Sequence, residues 1–295
     1  MRRFSCGLAV LVAACGGSSS DIFKPHDGGG EDVASSNNPD TGPVMFSDAG
    51  PVDSSGADDA PTQEIDYVYA QSPTVLYKVD PVAKTMTTVG NFNGCTSVVD
   101  IAVDANSNGY ATTFSGVYKL DLTTAVCTLI ATGSYPNSLS FVPKGTLDPS
   151  VEALVGYNGS TYIRIDTTTG AVTNVGSLTG GYESSGDIVS VANGGTFLTV
   201  TGNSCGDCLL QVNPVTGDMI QNYGSVNHAA VYGLAFWAGT AYGFDDAGEL
   251  FSITWSGSSL VTTNIPTTMG LEFWGAGSTT SAPPKSADGG GLPVN

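Results

Sequence analysis

From residue 65 to residue 280 the apolar positions rarely recur at the three-to-four-residue spacing of an amphipathic helix. They fall in short runs rich in Val, Ile, Thr, Tyr and Phe, divided by Gly, Asn, Asp and Pro. Such runs predict β-strands joined by tight turns. One run recurs: "LYKVDP" at Leu76, "VYKLDL" at Val117, "YIRIDT" at Tyr162, "LLQVNP" at Leu209 and a weaker "LFSITW" at Leu250, roughly 41–47 residues apart. A strand precedes each copy ("DYVYAQ", "GYATTF", "EALVGY", "TFLTVT", "TAYGFD"), and another follows it ("TMTTVG", "CTLIAT", "AVTNVG", "DMIQNY", "LVTTNI"). Each next unit opens with a further strand: "VVDIAV", "SLSFVP", "DIVSVA", "GLAFWA" and finally "GLEFWG".

The count is twenty strands in five units of four. The first unit, starting at "DYVYAQ", lacks an opening strand, and "GLEFWG" has no later unit to open. The C-terminal strand is therefore predicted to complete the first unit, which removes the open edges of a linear array. The period and the closure resemble the β-propeller superfamily. The resemblance implies an all-β, five-bladed propeller of four-stranded antiparallel blades over residues 65–280. Neither a WD dipeptide nor the kelch double glycine is present, so no particular propeller family is indicated. Asp80, Asp121, Asp166 and Asn213 close the recurrent run at a turn. There an Asx side chain is expected to accept hydrogen bonds from backbone N–H groups two residues on.

Outside the repeat the chain changes character. Met1-Arg2-Arg3 leads an uncharged run to Ala14, a pattern expected of a secretory signal over residues 1–14. Val12-Ala13-Ala14-Cys15 resembles the lipobox of bacterial lipoproteins. That resemblance implies that Cys15 is acylated and becomes the first mature residue. Gly16, standing where an aspartate would retain the protein at the inner membrane, then favours the outer membrane. Residues 15–64 hold ten acidic residues and one basic one, Lys24, among Gly, Ser, Asn and Pro. Little apolar surface with net charge predicts a disordered tether. Residues 281–295 are expected to form a similar tail.

The formal net charge is −18. The repeat region holds five basic residues: Lys78, Lys84, Lys119, Lys144 and Arg164. Nucleic acid and anionic headgroups are bound mainly through lysine and arginine, so no nucleic-acid partner is expected. Membrane attachment is expected through the lipid on Cys15 alone. Of the six cysteines, Cys6 leaves with the signal and Cys15 carries lipid. Cys95, Cys127, Cys205 and Cys208 remain, an even number that suggests disulfides in an exported chain. Cys205 and Cys208 suit one hairpin loop. Parity pairs Cys95 with Cys127, although a regular blade would set them near opposite ends.

The candidate chemistry is sparse. "GNSCG", with Ser204, matches G-x-S-x-G but joins two strands, whereas a nucleophile elbow leads from a strand into a helix. "DANSNG" at Asp104 begins like a calcium loop and lacks a carboxylate at its twelfth position, Ser115. Aligned inner strands put Glu272 of "GLEFWG" level with Ala102, Ser140, Ser190 and Ala235. Asp100 and Asp187 open two other inner strands, and paired carboxylates can cleave glycosidic bonds. Trp237 and Trp274 appear at matching positions and, with Tyr232, could offer a carbohydrate an aromatic platform. No complete catalytic set, cofactor motif or metal-ligand spacing is present. The expectation is a monomeric, non-catalytic envelope lipoprotein that binds or scaffolds an unknown protein or glycan. The alternatives are a glycan-active enzyme or a lectin.

Overall fold

The computed structural model describes residues 68–268 and 270–285. The expected signal segment, Cys15, the expected tether and the end of the expected tail lie outside the described residues. Five four-stranded sheets contain all twenty strands. The first blade holds β1 (Val68–Gln71), β2 (Val75–Asp80) and β3 (Thr85–Asn91), with β20 (Gly275–Gly277) on its inner side. The second runs β4 (Asp100–Val103), β5 (Gly109–Thr113), β6 (Gly116–Leu120) and β7 (Cys127–Thr132). The third runs β8 (Leu139–Val142), β9 (Ala153–Asn158), β10 (Thr161–Ile165) and β11 (Val172–Ser177). The fourth runs β12 (Glu183–Ser190), β13 (Thr196–Gly202), β14 (Cys205–Val212) and β15 (Met219–Ser225). The fifth runs β16 (Val231–Trp237), β17 (Thr240–Asp245), β18 (Leu250–Ser256) and β19 (Ser259–Ile265).

The innermost strands adjoin one another in a closed ring, β4 to β8, β12, β16, β20 and back to β4. This is a five-bladed β-propeller. Burial follows from that placement. Every residue of β4 and β8 is buried, while outer strands such as β11 and β19 are mostly exposed and rich in Thr and Asn. The apolar core lies between blades: Phe197 packs its ring 5.1 Å from Trp255 of the next blade.

The recurrent run is the third strand of each blade, and in the first four blades its Asx residue caps the turn that follows. Asp80 Oδ1 accepts from the N–H groups of Val82 and Ala83 at 2.9 and 2.8 Å. Asp121 and Asp166 repeat this with two threonines each, and Asn213 with Val215 and Thr216. Asp104 likewise accepts from the N–H groups of Asn106 and Asn108, so "DANSNG" is a capped hairpin turn.

The closing strand differs from expectation. "GLEFWG" resembles "GLAFWA" in its Leu, Phe and Trp, but the ladder begins where "GLEFWG" ends. Gly275, Ala276 and Gly277 pair with Gln71, Ala70 and Tyr69 of β1. Small residues are required there. A Cβ on Gly275 would overlap Asp100 Oδ1 and the Gln71 amide, both fully buried. Phe273 sits just ahead of the ladder, wedged edge-on against Tyr77 and Phe244. Beyond β20 the chain continues across the ring. Thr279 bridges to Val103, the Thr280 carbonyl accepts from Ala192 N at 2.8 Å, and Ala282 is buried. The described part of the segment expected as tail thus includes a core residue.

Both expected disulfides are present: Cys205–Cys208, with Cα atoms 5.9 Å apart, and Cys95–Cys127, at 5.6 Å. The expected obstacle to the second bond assumed a regular antiparallel blade. The connection leaving the first blade instead runs alongside the start of β7. Asn93 forms a parallel bridge to Val126, and Cys127 N donates to the Asn93 carbonyl at 2.7 Å. Cys95 is thereby delivered alongside Cys127.

Candidate functional site

At the end of the axis where the inner strands begin, two carboxyl groups meet. Asp100 starts β4, and Asp187 lies within β12, two blades away. Both are fully buried. Asp187 Oδ1 accepts from Ile188 N at 2.6 Å and Leu139 N at 3.4 Å, and Oδ2 accepts from Leu234 N at 2.7 Å. Asp100 Oδ1 accepts from Ile101 N at 2.8 Å, while its Oδ2 accepts nothing. Burial pushes both carboxyls above the usual carboxylate range. The charge of Asp187 raises Asp100 further, whereas Asp100 and the N–H donors hold Asp187 back.

This pair ties the ring together. The contacting strands are β4, β8, β12 and β16, and Gly275 of β20 leaves room for Asp100 Oδ1. The Gln71 amide completes the fifth side, donating to the Gly275 carbonyl at 2.8 Å and accepting from its N–H at 3.0 Å. Both side chains are closed off from solvent.

Glu272 departs from its predicted place. It is exposed and precedes β20, so it does not join Asp100 or Asp187 among the inner-strand positions. The slip in the closing strand also separates the tryptophans. Trp237 ends β16 and is buried, while Trp274 stands ahead of β20, half-buried. Tyr232 and Trp237 are five positions apart along β16, roughly 17 Å at the rise of a strand, with a register shift between Val231 and Gly233. Trp237 is thereby set apart from Tyr232. Asn203 and Ser204, with φ of 48° and 64°, make the tight turn between β13 and β14, and Ser204 opens no helix.

A groove of about 820 Å³ lies at the other end of the inner strands, between the second and third blades. Its walls are the turn after β4, the connection from β8 to β9, the turn after β10, and Thr280–Ser281 of the crossing segment. Tyr110 and Phe141 meet edge to face at its base, ring centroids 5.2 Å apart. Burial and the Asp104 carboxylate raise the Tyr110 phenol above its usual pKa. Lys144 and Arg164 line it together with Asp104, Glu152 and Asp166. Arg164 pairs with Asp148 at 3.2 Å; the Ser150 N–H and hydroxyl and then this guanidinium hold the Asp148 carboxyl down to about 2. Glu152 is fixed by Ala105 N at 2.7 Å and by the Thr280 hydroxyl. Sequence reading missed this groove because its walls are ordinary turns; the one usable signal was that two of five basic residues fall in it. Elsewhere, His228, Asp245 and Glu249 present three ligand atoms within 4.8 Å of one another and could hold a metal ion.

No protein-family model matches the sequence, and no curated relative matches it. Among solved structures the chain is similar to one in a nidogen/laminin complex, at 10% identity, covering 72% of this chain and 97% of that one with a TM-score of 0.47. It is also similar to a protein of unknown function from Bacteroides caccae, at 11% identity, covering 70% and 77% with a TM-score of 0.40.

Proposed function

We propose that the protein is a non-catalytic binding module, tethered to the cell envelope by lipid on Cys15, and that it holds a glycan in the groove between its second and third blades. The observation that carries this reading is the division of the polar groups. The axial carboxyls are buried and accept from backbone N–H donors, while the groove sets Lys144 and Arg164 among the Asp104, Glu152 and Asp166 carboxylates beside the Tyr110–Phe141 pair. Sugar hydroxyls donate and accept at once, and their C–H faces rest on aromatic rings. A volume near 820 Å³ is on the scale of small-ligand sites. The acidic tether suits a domain displayed away from its anchor.

The test is labelled full-length protein on a glycan array. Binding to a defined glycan, weakened at least about tenfold by Lys144→Glu or Arg164→Gln in folded protein, supports the reading. Absence of any bound glycan, or binding indifferent to both substitutions, overturns it.

A further inference from the structure

His228 sits in the connection from β15 to β16, and Asp245 and Glu249 flank the turn between β17 and β18. Folding brings one imidazole nitrogen against both carboxylates. His228 Nδ1 lies 3.1 Å from Asp245 Oδ2 and 3.2 Å from Glu249 Oε2. One N–H cannot point squarely at two acceptors, and two carboxylates outweigh the single positive charge an imidazole can carry. A cation between the three atoms answers both problems. Nitrogen and oxygen ligands stand about 2.0–2.2 Å from Zn²⁺. Two such ligands subtending about 90–110° are about 3.0–3.4 Å apart, which matches both distances.

The supports of the trio favour ligation. The imidazole stacks on Phe251, ring centroids 3.6 Å apart and planes 4° apart, which fixes its orientation. Asp245 Oδ1 accepts from Glu249 N at 2.8 Å, which aims Oδ2 at the imidazole. Ligands held by such neighbours are oriented before the ion arrives. The His228 and Asp245 side chains are 9% and 3% exposed, whereas Glu249 is 51% exposed and can close over an ion from the solvent side.

We propose that His228, Asp245 and Glu249 form a binding site for one divalent transition-metal cation of the Zn²⁺ type. It is held through one imidazole nitrogen and two carboxylate oxygens, with a solvent-facing position left open. The mixed donor set selects such an ion over Ca²⁺, which takes six to eight oxygens. The ion clips the β17–β18 turn to the connection entering β16.

The test uses full-length, untagged, chelator-treated protein carrying His26→Gln, so that His228 is the only imidazole. Titration calorimetry with Zn²⁺ is expected to show one site of micromolar affinity that Ca²⁺ does not occupy. Glu249→Gln, at a half-exposed position, should weaken it at least about tenfold. His228→Gln should remove it, along with the perturbation of the His228 imidazole resonances by Zn²⁺. If His228→Gln fails to fold, Glu249→Gln and the imidazole resonances decide. No Zn²⁺ binding, or binding that leaves those resonances and the Glu249→Gln variant unaffected, shows the trio to be a hydrogen-bonded ion-pair set and overturns the proposal.

Discussion

Asp100 and Asp187, on inner strands two blades apart, are both fully buried at the axis of the ring. Burial and then the charge of Asp187 raise the Asp100 carboxyl above the usual carboxylate range. Since folding raises the pKa of Asp100, the folded state binds a proton that the unfolded chain releases near pH 4. The stabilisation is complete below that pH and is lost as pH rises through the raised value. Urea midpoints should therefore fall from pH 4 toward alkaline pH. Asp100→Asn, whose amide can donate without titrating, should flatten that dependence at little cost in stability. Asp187→Asn leaves a backbone N–H facing an NH₂ group and should cost about 1–3 kcal/mol throughout. Equal pH profiles for wild type and Asp100→Asn would show that Asp100 does not carry this dependence.

The two disulfides should contribute unequally. Cys95–Cys127 closes a loop with a sequence separation of 32, and Cys205–Cys208 one of 3. On the chain-entropy account, the longer loop stabilises by about 3–4 kcal/mol and the shorter by less. Calorimetry should show a clearly larger drop in Tm for the Cys95→Ala, Cys127→Ala pair than for the Cys205→Ala, Cys208→Ala pair. The reverse order would contradict this.

Gly275→Ala tests the closing strand. Its methyl group would enter space held by Asp100 Oδ1 and the Gln71 amide, whereas a Cβ on Gly206 meets nothing within 4 Å. Overpacking of this kind costs about 1–3 kcal/mol. Chemical denaturation should show that loss for Gly275→Ala and almost none for Gly206→Ala.

The anchor is testable apart from the fold. Cys15→Ser should release the protein from membranes to the soluble fraction, because several acyl chains hold firmly where one binds only marginally. Unchanged membrane retention would remove the lipobox reading.

The blade count was legible in the sequence because four of the five third strands end on an Asx turn, and that turn is a local structure. Asp80, Asp121, Asp166 and Asn213 bond within three residues of themselves. The closing strand was less legible because it is made of Gly275, Ala276 and Gly277, which carry no strand signature of their own. "GLEFWG" supplied a false one. Its Phe273 is apolar because Tyr77 and Phe244 surround it, not because it belongs to the ladder. The axial pair and the histidine trio join residues brought together only by ring closure or by a folded hairpin, so neither has a spacing to read.

The residues of β20 also impose an order on the life of the chain. The first blade to leave the ribosome is missing its inner strand until about two hundred further residues have been made, since β1 and β20 stand at 68–71 and 275–277. A truncated product ending anywhere before Gly275 would expose the bare edge of β1 and leave Asp100 without its neighbour on that side. Completion of the ring therefore waits on the last strand: only a chain that reaches Gly275–Gly277 can cover the inner edge of β1.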